Sequence, residues 1–471
     1  MSVLETQHRS PDRNDGDLDD WSHHVAWVGN ERSCLVRLAW PIAVSMVSYA
    51  VMTTTDTLFV GHLGAASLAG VGLAGVTAFT LLAFCFGLLR GIKVLVSQAR
   101  GAGVANRANG PILAAGLLFA LVMGALATLV GLAIADILPR VADSAGAGTA
   151  ARDYLAIRVL ASPLALSFAA FRESCYGLGK TTIPMRASLV ANVVNVVLDA
   201  WFIVGLDWGV RGAALASVVA TATELTLIVW VGPRLLWADV RRSVDWVGRL
   251  IRVGAPTGFQ FLIELSSFTL LTFLISSFAD MEMAAHQIAL QVIHFGFLPA
   301  VAIGEAASIM AGEAVGASRD RLVRVVAGKA MWIGGAYMVL FTIVLALFAL
   351  PIAGAFTSDW DVASRAVIIL YIGAGFQLGD AANIVARCVL RGTGDVFFPA
   401  VIGIGLAWLL TPTSFYFFGI HMGMGAVGGW IGISAEVLIG TLIFWHRLIC
   451  GGWHRSAERS RADVNRSEIT T

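Results

Sequence analysis

The chain has 471 residues, 57% of them hydrophobic and 13% charged, with a net charge of +1 and a mean hydropathy of +0.78. Soluble domains carry about 25% charged residues, so a soluble multidomain protein is excluded and a polytopic membrane protein is indicated. A nearly neutral chain also offers no electrostatic footprint for nucleic acid.

Residues 1–33 open with "MSVLETQHRSPDRNDGDLDDWSHH", polar and mixed in charge. They lack the apolar core and small-residue cleavage site of a signal peptide and read as a disordered, uncleaved tail. Beyond them, a hydrocarbon layer of about 30 Å calls for about 20 apolar residues per helix. Cutting at charges and Gly/Pro clusters predicts an all-α chain of twelve spans. Six lie at 36–60, 63–89, 112–138, 154–176, 185–206 and 210–232, and six at 253–278, 283–311, 328–356, 363–390, 397–419 and 424–446. The expected organisation is an N-lobe over 34–232, a basic linker over 233–252, a C-lobe over 253–448 and a second tail over 449–471. Five scattered cysteines, with no CxxC, suit small helix residues or free thiols.

Lysine and arginine set the orientation. Placing both tails and every second loop on one side collects 27 of them there, against Arg140, Arg152, Arg211 and Arg365 on the other, with Arg158 assigned to neither. Both termini are therefore expected in the cytoplasm.

The chain is also written twice. Pro41 and Pro256, "QARGA" (98–102) and "EAVGA" (313–317), and "GLGKTTIP" (177–184) and "GTGDVFFP" (392–399) all share an offset of 215. "GVRG" (209–212) and "GAVG" (425–428) follow one residue later. Six spans return a chain to its starting side, so the two copies have parallel topology, related by an axis along the membrane normal. Two six-helix bundles then face each other across a central cleft, the geometry of alternating access. "SCYGLGKTT" imitates a phosphate loop, but its first glycine is Ser174, no strand precedes it and Pro184 cuts the helix after it; it reads as a turn.

Ionisable groups are costly at mid-bilayer, about 2.5–3.5 kcal/mol on insertion scales. Four carboxylates fall deep: Asp56 in "VMTTTDTLFVG", Asp199 in "NVVNVVLDAWFIVG", Glu264 in "FQFLIELSSF" and Asp380 in "GFQLGDAANIVARCVLRG". No Lys or Arg is expected near the middle of a span, and Arg387, two turns beyond Asp380, is expected at the interface. Unpaired acids need a cation, and a proton or Na+ is on offer. Their neighbours are oxygen donors of the kind hard cations take: Thr53, Thr54, Thr55 and Thr57 around Asp56, Asn192 and Asn195 on the stripe of Asp199, Gln260 and Ser267 beside Glu264, and Gln377 and Asn383 flanking Asp380. Any one of these amides also suits helix-to-helix hydrogen bonding. Glu224, Glu305 and Glu436 lie in apolar spans without an assigned role.

With these pieces together, the chain resembles the MATE (multidrug and toxic compound extrusion) family of secondary transporters. "DTLFVGHLGAASLAG", "GLGKTTIPMRASLVANVVNVVLDAWFIVG" followed by "WGVRGAALAS", and "VLRGTGDVFFP" carry the resemblance, which spans about 36–450. It implies export of bulky, often cationic amphipathic compounds in exchange for Na+ or H+, with no cofactor beyond the coupling ion, no enzymatic activity, and the lipid bilayer and small organic substrates as partners. A multi-pass monomer of the cell membrane is expected. The family's N-lobe cation site falls on Asp56, Asn195, Asp199 and Ser217, the last a serine where threonine is usual. Its C-lobe acids fall on Glu264 and Asp380, with Asp359 a further acid implicated in cationic substrate binding. Both sets are kept, so lobe and ion stay open. The rival within the superfamily is a lipid-linked precursor flippase, which would favour a basic cavity; the deep acids argue against it. An intramembrane enzyme would need partners for His286 and His294 that the sequence does not supply.

Overall fold

Lipid offers no hydrogen bonds to the backbone, so long apolar runs cross it as helices. The computed structural model describes residues 25–142, 144–278 and 280–469, and it follows this rule. The first six spans are α1 (Glu31–Gly61), α2 (Ala65–Gly101), α3 (Ala105–Val141), α4 (Ala145–Gly177), α5 (Thr182–Gly205) and α6 (Gly209–Val231). A short connector helix, Trp237–Arg242, leads to the second six. These are α7 (Val244–Ser276), α8 (Asp280–Gly316), α9 (Asp320–Phe356), α10 (Trp360–Gly392), α11 (Phe397–His421) and α12 (Ala426–Ile449). A polar helix α13, His454–Ile469, closes the described chain.

The repeat is visible in backbone detail. After α4, Gly179 takes φ +71° and Lys180 N–H bonds the Cys175 carbonyl; after α10, Gly394 takes φ +89° and Asp395 N–H bonds that of Leu390. Only glycine adopts such a left-handed turn without strain, which accounts for the paired "GLG" and "GTG". The turns after α2 and α8 match as well, with Val104 N–H on Ala99 and Arg319 N–H on Ala314. Both α5 and α11 end in π-helix, over Ala200–Gly205 and Phe415–His421, a form concentrated at functional sites.

Helices α1–α6 and α7–α12 form two lobes. At the face away from the termini, here the distal face, each lobe has its own apolar core. One holds Val60, Leu138, Leu155 and Ile203; the other holds Leu271, Ile293, Leu345 and Ile369. At the termini face the cores are shared. Leu35, Leu38 and Ile42 of α1 pack with Ile309 and Met310 of α8, and Leu88 and Ile92 of α2 pack with Trp246 and Leu250 of α7. Backbones touch there: a Cβ on Gly254 would sit 2.1 Å from the Leu88 carbonyl oxygen, and one on Gly101 would sit 2.0 Å from that of Glu313. The lobes are thus sealed at the termini face and part toward the distal face.

Three boundaries differ from expectation. The tail expected to be disordered through residue 33 is ordered from Val25. Val25 and Trp27 are buried, and Trp27 Nε1–H donates to Glu313 at 2.6 Å; residues 1–24 lie outside the described residues. The C-lobe begins at Val244 rather than 253, because Trp246 and Leu250 extend α7 as an apolar stripe onto the N-lobe core. The tail from 449 is a docked helix: Trp453 and Ala457 are fully buried, Ser460 donates to Gln98, and Arg461 pairs with Asp320 at 2.9 Å.

Candidate functional site

Helix geometry sets the depth of the N-lobe acids. At 1.5 Å per residue, Asp56 lies about 8 Å before the distal end of α1, Asp199 about 9 Å before that of α5, and Ser217 about 12 Å into α6. The helices bring them together: Ser217 Oγ–H donates to Asp56 at 3.3 Å, and Asp199 and Asn195 lie against the same carboxylate. All four side chains are buried, Asn195 and Asp199 completely. Asp56 Oδ1, both oxygens of Asp199 and both heteroatoms of Asn195 have no hydrogen-bond partner. Buried polar atoms are rarely left so, and among the described residues the only charge acting on Asp199 is Asp56 itself. Two carboxylates, an amide and a hydroxyl therefore face one another with Arg158 as the one cation acting on Asp56 and none on Asp199 among the described residues, the donor chemistry of a proton or a hard cation. Tyr154 of α4, buried beside Ser217, escaped sequence reasoning because a tyrosine in an apolar run reads as packing. Asn192 lies apart: its Nδ2 donates to the Ser48 carbonyl at 2.8 Å and to the Ser48 hydroxyl, fastening α5 to α1.

The C-lobe acids meet different surroundings. Glu264 accepts from Arg387 Nη2 at 2.9 and 3.0 Å and from Gln260 Nε2 at 2.9 Å. The expectation of an unpaired Glu264, with Arg387 out at the interface, is corrected: α10 turns that arginine inward onto α7. Asp380 is buried with Arg387 as its nearby cation. Gln377 is fully buried with both amide atoms unpartnered. Asn383 donates to the Val437 carbonyl at 3.1 Å. Glu436, left without a role by the sequence, belongs to this cluster: it accepts from Thr411 at 3.1 Å and lies near Glu264, Asp380 and Arg387. Asp359 is elsewhere, exposed at the distal start of α10, where it caps the helix by accepting from Asp361 N–H at 2.9 Å. Glu224 accepts from Ser188, tying α6 to α5.

A third group sits where the lobes meet. Lys93 of α2 is ion-paired with Glu305 of α8, Arg90 lies 3.7 Å from the same glutamate, and Lys93 lies 4.0 Å from Glu173 of α4. Nearer the termini face, Arg100 pairs with Glu313 at 2.6 Å. Cations near the span ends thus turn inward onto the acids, as Lys93 does on Glu305 and Arg387 on Glu264, which removes the argument from acids alone against a basic cavity. Lys93 escaped because the second span was ended at 89 by its own charges, whereas α2 runs on to Gly101.

Comparison with known proteins agrees with this architecture. The family model described as MatE matches residues 41–201 and 256–425, one copy per lobe. A "Probable multidrug resistance protein NorM" of Bradyrhizobium diazoefficiens is 30% identical over 436 residues, covering 87% of this chain and 90% of that one. One of the same description from Pseudomonas syringae pv. tomato is 28% identical over 417 residues, covering 85% and 90%. Among solved structures, that of a MATE protein in the bent conformation superposes with a TM-score of 0.84 at 21% identity, covering 91% of this chain and 98% of that one.

Proposed function

We propose, from the premise that this chain belongs to the MatE family, that it is a multidrug exporter working by antiport. The ion-coupling site is assigned to Asp56, Asn195, Asp199 and Ser217. One observation carries the assignment: three of the four carboxylate oxygens of Asp56 and Asp199 are buried without a partner, whereas Glu264 is already neutralised by Arg387. The 27-to-4 bias of Lys and Arg supports a cytoplasmic termini face, so the distal opening faces outward and the N-lobe acids lie on the side from which the ion arrives.

In this reading Na+ or H+ enters from the distal face and occupies the Asp56–Asp199 pair. The occupied site favours one packing of the lobes and the empty site the other, so ion and drug are exchanged through a shared equilibrium. Inward movement of one positive charge supplies about 2.3 kcal/mol per 100 mV. Asp380 and Glu436, with one shared arginine, supply the C-lobe's negative charge toward the cleft. Each chain holds both lobes, so a monomer suffices.

The test is efflux of a panel of lipophilic compounds from vesicles holding the purified protein, driven by a sodium jump or by a pH jump. Asp56→Asn and Asp199→Asn are expected to abolish gradient-driven export while drug binding persists, and the effective jump names the ion. Gradient-driven export by both variants at the wild-type rate would overturn the assignment. One observation favours a second reading, carriage of a substrate with an anionic head: the basic groups between the lobes.

A further inference from the structure

Apart from both acid clusters, a cavity of about 10 Å³ lies between the lobes on the termini side of the cleft, with Arg90 and Lys93 of α2, Glu305 of α8 and Arg391 of α10 in its wall. The wall thus holds three cations and one carboxylate, with Glu173 behind it 4.0 Å from Lys93. Glu305 engages Lys93 and Arg90. The Nε of Arg391 is buried without an acceptor, as is that of Arg387 one turn away. A buried guanidinium N–H without an acceptor is costly, and a planar guanidinium is shaped for carboxylate or phosphate.

The cavity has room for about one water molecule, but its walls belong to both lobes. Any rocking that opens the termini face must separate Arg90 and Lys93 from Glu305 and widen the space beside Arg391. We infer that this vestibule is an anion-recognition site, which takes the carboxylate, sulfonate or phosphate group of the transported compound on Arg391, joined by Arg90 and Lys93 as the lobes part. The inference rests on the exporter reading and narrows it, from simple cations to zwitterions and anions. On α10, Asp380 and Arg391 are about 16 Å apart at 1.5 Å per residue, a separation that a bulky zwitterion spans.

Equilibrium binding to the purified full chain in lipid-free micelles tests this, with a fluorescent aryl carboxylate as probe and its methyl ester as control. The acid is expected to bind roughly tenfold tighter, the worth of a charge-assisted hydrogen bond. Arg391→Gln should erase the preference, and Arg391→Lys should keep part of it, which also shows the fold intact. Glu305→Gln, which frees Arg90 and Lys93, should increase it, an outcome that a merely structural role for these residues would not give. Repeating the titration in phosphatidylcholine nanodiscs with and without anionic phospholipid identifies the source of the anion. Abolition of the acid's advantage by anionic lipid assigns the site to a lipid headgroup, and its persistence assigns it to a soluble compound.

Equal binding of acid and ester, unchanged by anionic lipid or by Glu305→Gln, would overturn the inference. Ion-coupled export of cations alongside that result would leave the exporter reading standing. Preferential acid binding without any coupled export would count against the exporter reading and leave the site.

Discussion

At Glu264 the carboxylate has donors from Arg387 and Gln260 within 3.0 Å, while Asp199 is fully buried with none. Removing a partner therefore has opposite meanings at the two places. Glu264→Gln strands a guanidinium, and Arg387→Gln strands a carboxylate; each is expected to destabilise the protein by about 1.5–3 kcal/mol, the range for hydrogen bonds to charged groups. The double variant should lose less than the sum, which thermal unfolding of the four proteins would check; additive losses would deny the pair. At the proposed N-lobe ion site, Ser217→Ala removes the hydroxyl that donates to Asp56. It is expected to raise the ion concentration for half-maximal export roughly fivefold, about 1 kcal/mol, with Ser217→Thr near wild type; ion titrations of vesicle efflux measure this. The acids were legible in the sequence because a carboxylate in an apolar run has few reasons to be there. Their partners were not, since Lys93 and Arg387 stand near span ends, where a charge reads as a boundary marker, and only the packed structure shows which ones turn inward.

Helix α7 meets α2 through backbone at Gly254 as well as through the Trp246 and Leu250 side chains, and that backbone contact sets whether the termini face can close. Close backbone approach is what small residues permit between helices in lipid. A methyl on Gly254 would lie 2.1 Å from the Leu88 carbonyl oxygen, with no flexible atom to yield. Gly254→Ala is thus expected to hold the lobes apart at this face, whereas Gly405→Ala, with nothing within 4 Å of its added carbon, should be silent. Cys388 provides the readout: it is buried beside the interlobe cavity, so its alkylation by a small maleimide should accelerate in Gly254→Ala and not in Gly405→Ala. Equal rates would mean that the seal accommodates the methyl. The sequence located every span but cut several short. Hydropathy ends a helix where charge begins, while α2 and α7 continue through charged turns because one stripe of each still packs against the other lobe, as Trp246 and Leu250 do.

Both ends of the described chain grip the seal. Trp27 donates to Glu313, which also holds Arg100 of the other lobe. From α13, Ser460 reaches Gln98 of the N-lobe, Arg461 reaches Asp320 and Ser456 reaches Asp395 of the C-lobe, and Asp463 accepts from Arg249 at the start of α7 through its carbonyl at 2.6 Å. None of this could be read from composition, since α13 is mostly polar and its stability comes from where it docks. The repeat, by contrast, was legible at this scale, because each turn glycine is forced by a backbone angle that both lobes share. A helix touching both lobes on one face stabilises the packing in which that face is closed, and it contributes nothing once the lobes separate. Ending the chain at Trp453 should therefore shift the population toward the form open at the termini face, with faster Cys388 alkylation and slower ion-driven export. Partly exposed ion pairs contribute at most about 1 kcal/mol, so Arg461→Glu alone should shift the alkylation rate by roughly fivefold or less, and adding Asp320→Arg should restore it. If the truncated protein keeps wild-type alkylation and export, the docked helix is a passenger, and the closed face is held by the glycine contacts and interlobe ion pairs alone.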